Sequence, residues 1–252
     1  MIGAILNQKG GVGKTTVSVN LAFGLALFGK KTLIIDLDPQ AHSTVIYCQD
    51  IPSLTVRDLL LDRNFKTEKV ITQAVVGEKP IDNLFIVPTN IRLAATVEQV
   101  ISRVHREKLL HYHTSKLKKE FDFIIIDCPP MLGVLTMNAI YASNFNLIPT
   151  TYSRYALDGI ADLFNTINEV KEGKEYYYYI LRNSLDNRTS KTNTFIENQL
   201  KDERLTSTII EKCEAINQAQ IQGEPLYTFD SKSRAVENFN SLTQEVISWQ
   251  KN

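Results

Sequence analysis

Short runs of consecutive apolar residues alternate along this chain with longer stretches of helical character. Ile2–Leu6, Thr32–Asp36, Leu84–Val87, Phe121–Asp127, Phe145–Pro149 and Tyr176–Leu181 are six such runs. They show little of the two-residue alternation of a half-exposed strand, so they read as strands covered on both faces. Between the first two lies Lys14–Phe28, a helical stretch closed by Gly29 where helices commonly end. Strand–helix alternation of this kind implies an α/β fold: a twisted, mostly parallel sheet with right-handed crossovers and helices on both faces. No linker, repeat or low-complexity block interrupts the pattern, and residues 1–252 are expected to form one domain. From Arg234 onward, Val236, Phe239, Leu242, Val246 and Ile247 fall at helical spacing and predict a C-terminal helix docked on the core.

Ligands of open parallel sheets bind beyond the carboxyl ends of the strands. Gly10–Thr16, Asp36–Asp38 and Asp127 each follow a strand end, so all three are expected on one edge. Residues 8–16 read Gln8-Lys9-Gly10-Gly11-Val12-Gly13-Lys14-Thr15-Thr16. Glycines let successive backbone N–H groups converge on one anion, because they tolerate the dihedrals of a tight concave loop. Lys14 is placed to reach the β- and γ-phosphates of a nucleotide, and the Thr15 hydroxyl to ligate Mg²⁺. The strict phosphate-loop pattern has glycine where this chain has Gln8, and Lys9 adds a second cation at the mouth of the loop. Asp127, ending the run Ile124-Ile125-Ile126, is suited to hold the metal through water. Asp36 and Asp38 project to the same side of an extended segment. One of them suits the metal shell, and the other the orientation or activation of an attacking water.

Composition narrows the setting. The chain has 252 residues, 43% hydrophobic and 22% charged, which is ordinary for a globular domain. No apolar stretch approaches the ~18 residues of a bilayer span, and no signal or transit peptide is expected. Cys48, Cys128 and Cys213 are isolated, which argues for a reducing cytosol and against a disulfide frame or a zinc site. Lysine plus arginine equals aspartate plus glutamate at 28 each, so any nucleic-acid contact must come from a local patch.

The string from Gln8 to Thr16 resembles the deviant Walker A box of the ParA/MinD ATPases. Asp36-Leu37-Asp38-Pro39-Gln40-Ala41 resembles the first switch of ParA. Phe123-Ile124-Ile125-Ile126-Asp127-Cys128-Pro129-Pro130, followed by Leu132-Gly133 and Thr136-Met137-Asn138-Ala139, resembles its Walker B strand and second switch. Pro149-Thr150, Tyr155-Ala156-Leu157-Asp158-Gly159, Asp186-Asn187-Arg188-Thr189 and Gly223-Glu224-Pro225-Leu226 also fall where ParA relatives carry similar strings. The resemblance implies ATP and Mg²⁺ as ligands, with residues 9–16 as the nucleotide loop and Thr15, Asp36 and Asp127 around the metal. It implies that Lys9 crosses a nucleotide-sandwich homodimer to the partner's phosphates and that Asp38 is the hydrolysis residue. It further implies binding of non-specific nucleoid DNA in the cytoplasm and a ParB-like or cargo-adaptor protein that stimulates hydrolysis. The cargo would be a plasmid, a chromosome origin or a protein assembly such as a carboxysome.

Departures from the family pattern bear on the partners. The basic Pro-Arg-rich segment of many relatives is replaced here by Ile210-Glu211-Lys212-Cys213-Glu214-Ala215-Ile216, and Arg154 stands in a segment that is normally acidic. Asn183 takes a place often held by threonine and is expected to meet the adenine edge. Arg182, Arg188 and Arg204 are the expected DNA contacts, alongside Lys191, Lys201, Lys232 and Arg234. His105, His111 and His113, among the basic residues 103–119, are expected at the surface. A MinD-like membrane regulator is the first alternative, but the tail has little basic character beside its apolar stripe, and membrane binding is not expected. A P-loop metabolic enzyme is the second.

Overall fold

The computed structural model describes residues 1–152, 160–172, 176–201 and 203–251. Arg154 and the string 155–159 lie outside the described residues. The chain runs β1 (Ile2–Ile5), α1 (Lys14–Leu27), β2 (Thr32–Asp36), α2 (His42–Tyr47), α3 (Val56–Leu61), β3 (Thr72–Val76), β4 (Lys79–Val87), α4 (Arg92–Val100) and α5 (His111–Leu117). It continues with β5 (Phe123–Asp127), α6 (Val134–Ala142), β6 (Phe145–Thr151), α7 (Ile160–Lys171), β7 (Tyr177–Leu185) and α8 (Ser190–Leu200). Last come β8 (Leu205–Glu211), α9 (Glu214–Gln222), α10 (Leu226–Phe229) and α11 (Arg234–Ser248).

One sheet holds all eight strands in the order β3-β4-β2-β5-β1-β6-β7-β8. Every neighbouring pair is parallel except β3 and β4. The central strands owe their unbroken apolar runs to burial on both faces. In β5, Ile124 and Ile126 enter the core layer with α3, α6 and α7, while Phe123 and Ile125 enter the layer with α1 and α11. The strands β3 and β8 were not evident as apolar runs. Both lie at sheet edges, are only partly covered, and carry Thr, Gln and Ser among their apolar residues.

α1 is buried on nearly all sides. Its close approach to the C-terminal helices requires Gly24, where a Cβ would stand 2.4 Å from Thr243 Oγ1 and 2.8 Å from Tyr227 Oη. α11 spends its apolar stripe on the core, burying Ala235, Val236, Phe239, Leu242 and Val246. That leaves no apolar face of α11 for a membrane surface. No helix among the described residues is long and apolar enough to cross a bilayer.

The pairing of β7 with β8 is broken between Ile180 and Arg182, which face Leu205 and Ile209. Side chains satisfy the looped-out backbone there. Arg182 Nη2 donates to Thr206 O at 2.9 Å, and Glu245 accepts the Ser207 and Thr208 N–H groups at 2.7 and 2.9 Å. One histidine departs from expectation. His113 is buried on the inner face of α5, where Leu59 O, 3.0 Å away, can only accept and so fixes the proton on Nε2. Nδ1 then accepts the Thr67 hydroxyl at 2.8 Å.

Candidate nucleotide site

The segment from β1 to α1 forms a concave loop. Gly11 and Gly13 have φ of 73° and 88°, the left-handed region that glycine enters without strain. Val12 is buried, so the loop is pinned from beneath. A Cβ on Gly13 would lie 2.4 Å from Asn183 Nδ2, while Cβ atoms on Gly10 and Gly11 would meet nothing within 4 Å. The mouth is therefore open and the back is filled. Lys14 opens α1, is only 7% exposed, and donates from Nζ to Lys9 O at 3.0 Å. Burial lowers its pKa, and the nearby Asp127 charge opposes that shift. Asn7 holds the loop's entry, donating to Pro149 O on β6 at 2.8 Å and accepting the Lys9 N–H at 2.9 Å.

Three carboxylates stand at the neighbouring strand ends. Asp36 and Asp127 are paired in register across β2 and β5. Both are fully buried, and burial is the main cause that raises the pKa of each. Asp127 accepts hydroxyls from Ser18 on α1 and Ser43 on α2, at 2.9 and 2.6 Å, and interacts with Thr15. Asp36 accepts the Thr44 N–H and hydroxyl at 2.9 and 2.8 Å and the Asp38 N–H at 3.0 Å. Asp36 is thus a brace for the segment after β2, its oxygens spent on that backbone and on α2; Asp127 also stands behind the lining of the cavity but is joined to it through Thr15. Asp38 does line it, at the turn where its Oδ1 accepts the Gln40 N–H at 2.9 Å. The next turn is strained: Ala41 adopts φ 58°, ψ 31° ahead of α2.

The phosphate loop and Asp38 border a cavity of about 560 Å³. One end is walled by Gly10, Gly11, Gly13, Lys14, Thr15 and Asp38. The other is walled by Val19, Asn20, Ile216, Gln220, Glu224 and Leu226. This second wall was not read from the sequence. Its signal was Gly223-Glu224-Pro225-Leu226, where Gly223 (φ 70°) ends α9 and turns the chain back toward α1.

Asn183 is not at that wall. Its Nδ2 donates to Val12 O at 2.7 Å behind the phosphate loop, so the expected contact with a base edge gives way to support of the loop. The three arginines expected to meet DNA do not form one patch. Arg182 is consumed by Glu197 at 3.0 Å and by the backbone of β8. Arg188 is exposed beyond the carboxyl end of β7, where Asp186 chelates its guanidinium at 2.9 and 2.7 Å. Arg204 precedes β8 at the opposite end of the parallel strand pair, with its guanidinium over the Tyr178 ring.

The residues present fit a nucleoside triphosphate with Mg²⁺. The open glycine mouth, the buried Lys14 and the adjoining cavity suit the phosphates and the nucleoside. Among the described residues no group of three His, Cys, Asp or Glu side chains could hold a metal by itself. That donor set suits a cation carried mainly by phosphate oxygens and water, with Thr15 and Asp127 as the protein's share.

Comparison with known proteins agrees. The family profile described as an AAA domain matches residues 1–179. The sporulation initiation inhibitor protein Soj of Bacillus subtilis is 36% identical over 251 residues, covering 96% of each chain. The chromosome partitioning protein ParA of Myxococcus xanthus is 33% identical over 250 residues, covering 96% of this chain and 86% of its own. Among solved structures, cobyrinic acid a,c-diamide synthase of Mycobacterium smegmatis with bound ADP and magnesium superposes with a TM-score of 0.82 at 26% identity. That match covers all of this chain and 95% of the synthase. Likeness to Soj and ParA over nearly the whole length of the chain places it in the ParA/Soj/MinD family of P-loop ATPases.

Proposed function

We propose that the chain binds ATP with Mg²⁺, pairs face to face with a second copy in that state, and as a pair binds duplex DNA without sequence preference. Hydrolysis, stimulated by a ParB-like or cargo-adaptor protein, returns it to monomers that leave the DNA. Repeated on the nucleoid, this cycle would position a plasmid, a chromosome origin or a protein assembly. The observation that carries the reading is the convergence of residues 10–16, Asp38 and Asp127 on one sheet edge, beside a cavity of about 560 Å³.

Each residue has a share in that chemistry. Backbone N–H groups of residues 10–16 and the Lys14 ammonium bind and orient the phosphates, in a site where burial keeps the cation poorly hydrated and the attraction strong. Thr15 and Asp127 would hold Mg²⁺, which supplies neutralisation of the charge on the β- and γ-oxygens. Ser18 and Ser43 keep the Asp127 carboxylate oriented. Asp38 orients the attacking water, and Asp36 and Thr44 fix the turn that presents Asp38. Lys9 is assigned to the partner's phosphates across the pair. Pairing doubles whatever cations face DNA, and avidity turns weak phosphate contacts into useful binding.

Asp38→Ala tests the cycle. Size-exclusion chromatography with ATP and Mg²⁺ should show a persistent dimer with little phosphate release, and that dimer should shift the anisotropy of a random duplex. Binding should weaken steeply with salt, by roughly −0.9 in log–log slope per phosphate neutralised. A monomeric variant with normal turnover would overturn the reading. An ATP-bound dimer that ignores DNA but pellets with anionic vesicles would put the MinD-like alternative in its place.

A further inference from the structure

α1 is buried on nearly all sides, yet it carries two polar residues one turn apart, Thr16 and Asn20. A buried amide needs partners at both of its ends. Asn20 has them: Nδ2 donates to Thr16 O at 2.9 Å, and Oδ1 accepts the Leu226 N–H at 2.8 Å from 206 residues further along the chain. The Thr16 hydroxyl in turn accepts from Gln220 Nε2 on α9. Thr16, Asn20, Gln220 and Leu226 all line the cavity. Two ties therefore join the helix that begins in the phosphate loop to the wall at the cavity's far end.

The surrounding packing makes this a fixed spacing. Gly223 ends α9 in a left-handed turn, and Glu224 N–H returns to Ala219 O at 3.0 Å. Behind the wall, the Phe23 ring of α1 stacks on Tyr227 with centroids 5.1 Å apart and planes 10° from parallel. Leu226 N–H belongs to the first turn of α10, where no intrahelical acceptor exists. Asn20 supplies the missing acceptor from the phosphate-binding helix.

We infer that Asn20 is a positioning residue for the nucleoside. It holds the segment 223–226 at a set distance from the phosphate loop, so the nucleoside meets its wall when the phosphates are seated. The inference deepens the nucleotide reading of the cavity and rests on it. Without Asn20 the Leu226 N–H can be satisfied by water once the wall swings away, so the loss falls on nucleoside binding more than on folding.

The test compares two ligands. Asn20→Ala should weaken a fluorescent ATP analogue at least tenfold, about 1.4 kcal/mol, while inorganic triphosphate still competes with its wild-type affinity. Hydrogen exchange in the peptide spanning 223–229 should accelerate. Gln220→Ala, at a solvent-facing position, loosens the same wall and should show a smaller loss with the same split, which keeps the question open to test if Asn20→Ala does not fold. Equal losses for both ligands, or an unchanged affinity for the ATP analogue, would overturn the inference. A wild-type protein that binds neither ligand would instead refute the nucleotide reading itself.

Discussion

Gly13→Ala probes the back of the phosphate loop, where glycine is demanded twice over. The backbone at φ 88° costs an alanine about 1–2 kcal/mol. The new Cβ would also stand 2.4 Å from Asn183 Nδ2, about 1 Å inside ordinary contact. Asn183 must retreat, and its 2.7 Å hydrogen bond to Val12 O cannot survive that movement. Stranding a buried carbonyl costs about 1–3 kcal/mol. The expected penalty in the wild-type background is therefore about 3 kcal/mol. In an Asn183→Ala background the hydrogen bond is already gone and the space already open, so only the backbone cost of about 1.5 kcal/mol should remain. Urea denaturation of the four proteins measures the difference as a coupling energy of about 1–2 kcal/mol, the range for residues in contact. Titration with a fluorescent ATP analogue should show the same partial relief. Penalties that add within about 0.5 kcal/mol would refute the steric argument and leave the loop's dihedral as the whole cause.

Lys14→Ala removes the one buried cation of the loop and should reduce ATP affinity by a hundredfold or more, read by the same titration; an unchanged affinity would contradict the phosphate-loop assignment. His113 is held neutral, its pKa depressed mainly by burial, so the unfolded chain binds its proton first. Its contribution to stability is whole above the ordinary imidazole pKa of about 6.5 and fades as pH falls below it, which urea midpoints at several pH values would show, with a shallower acid decline in His113→Gln. Arg182→Glu should destabilise the β7–β8 pairing and lower the melting temperature, whereas Arg188→Glu, at an exposed position, should leave it nearly unchanged. Phe239→Ala empties a fully buried site under α1 and should cost about 3–5 kcal/mol by chemical denaturation.

Legibility in the sequence followed the range of the interactions. The phosphate loop and the aspartates at strand ends were readable because their positions depend on the adjacent strand and a few local dihedrals. The central strands were readable because double-sided burial leaves runs such as Ile124-Ile125-Ile126. The edge strands β3 and β8 were hidden by partial exposure, which admits Gln73, Thr206 and Ser207. Asn183 and Arg182 looked like polar residues near a binding edge. The partner of Asn183, Val12 O, and one of the two partners of Arg182, Thr206 O, are backbone atoms that no side-chain pattern announces. The nucleoside wall depends on Asn20 meeting Leu226 across 206 residues, so only the turn at Gly223 marked it.

The irregular pairing of β8 has a consequence beyond the fold. An outermost strand of a large sheet offers a row of bare amides that another chain can extend. Here the stretch 206–208 is bent out of line, Arg182 occupies a carbonyl from inside, and the Glu245 carboxylate occupies two successive amides. A strand arriving from a neighbouring molecule would find donors already taken and a negative charge in their place. The same acid that anchors the last long helix thus acts as a stopper on sheet growth.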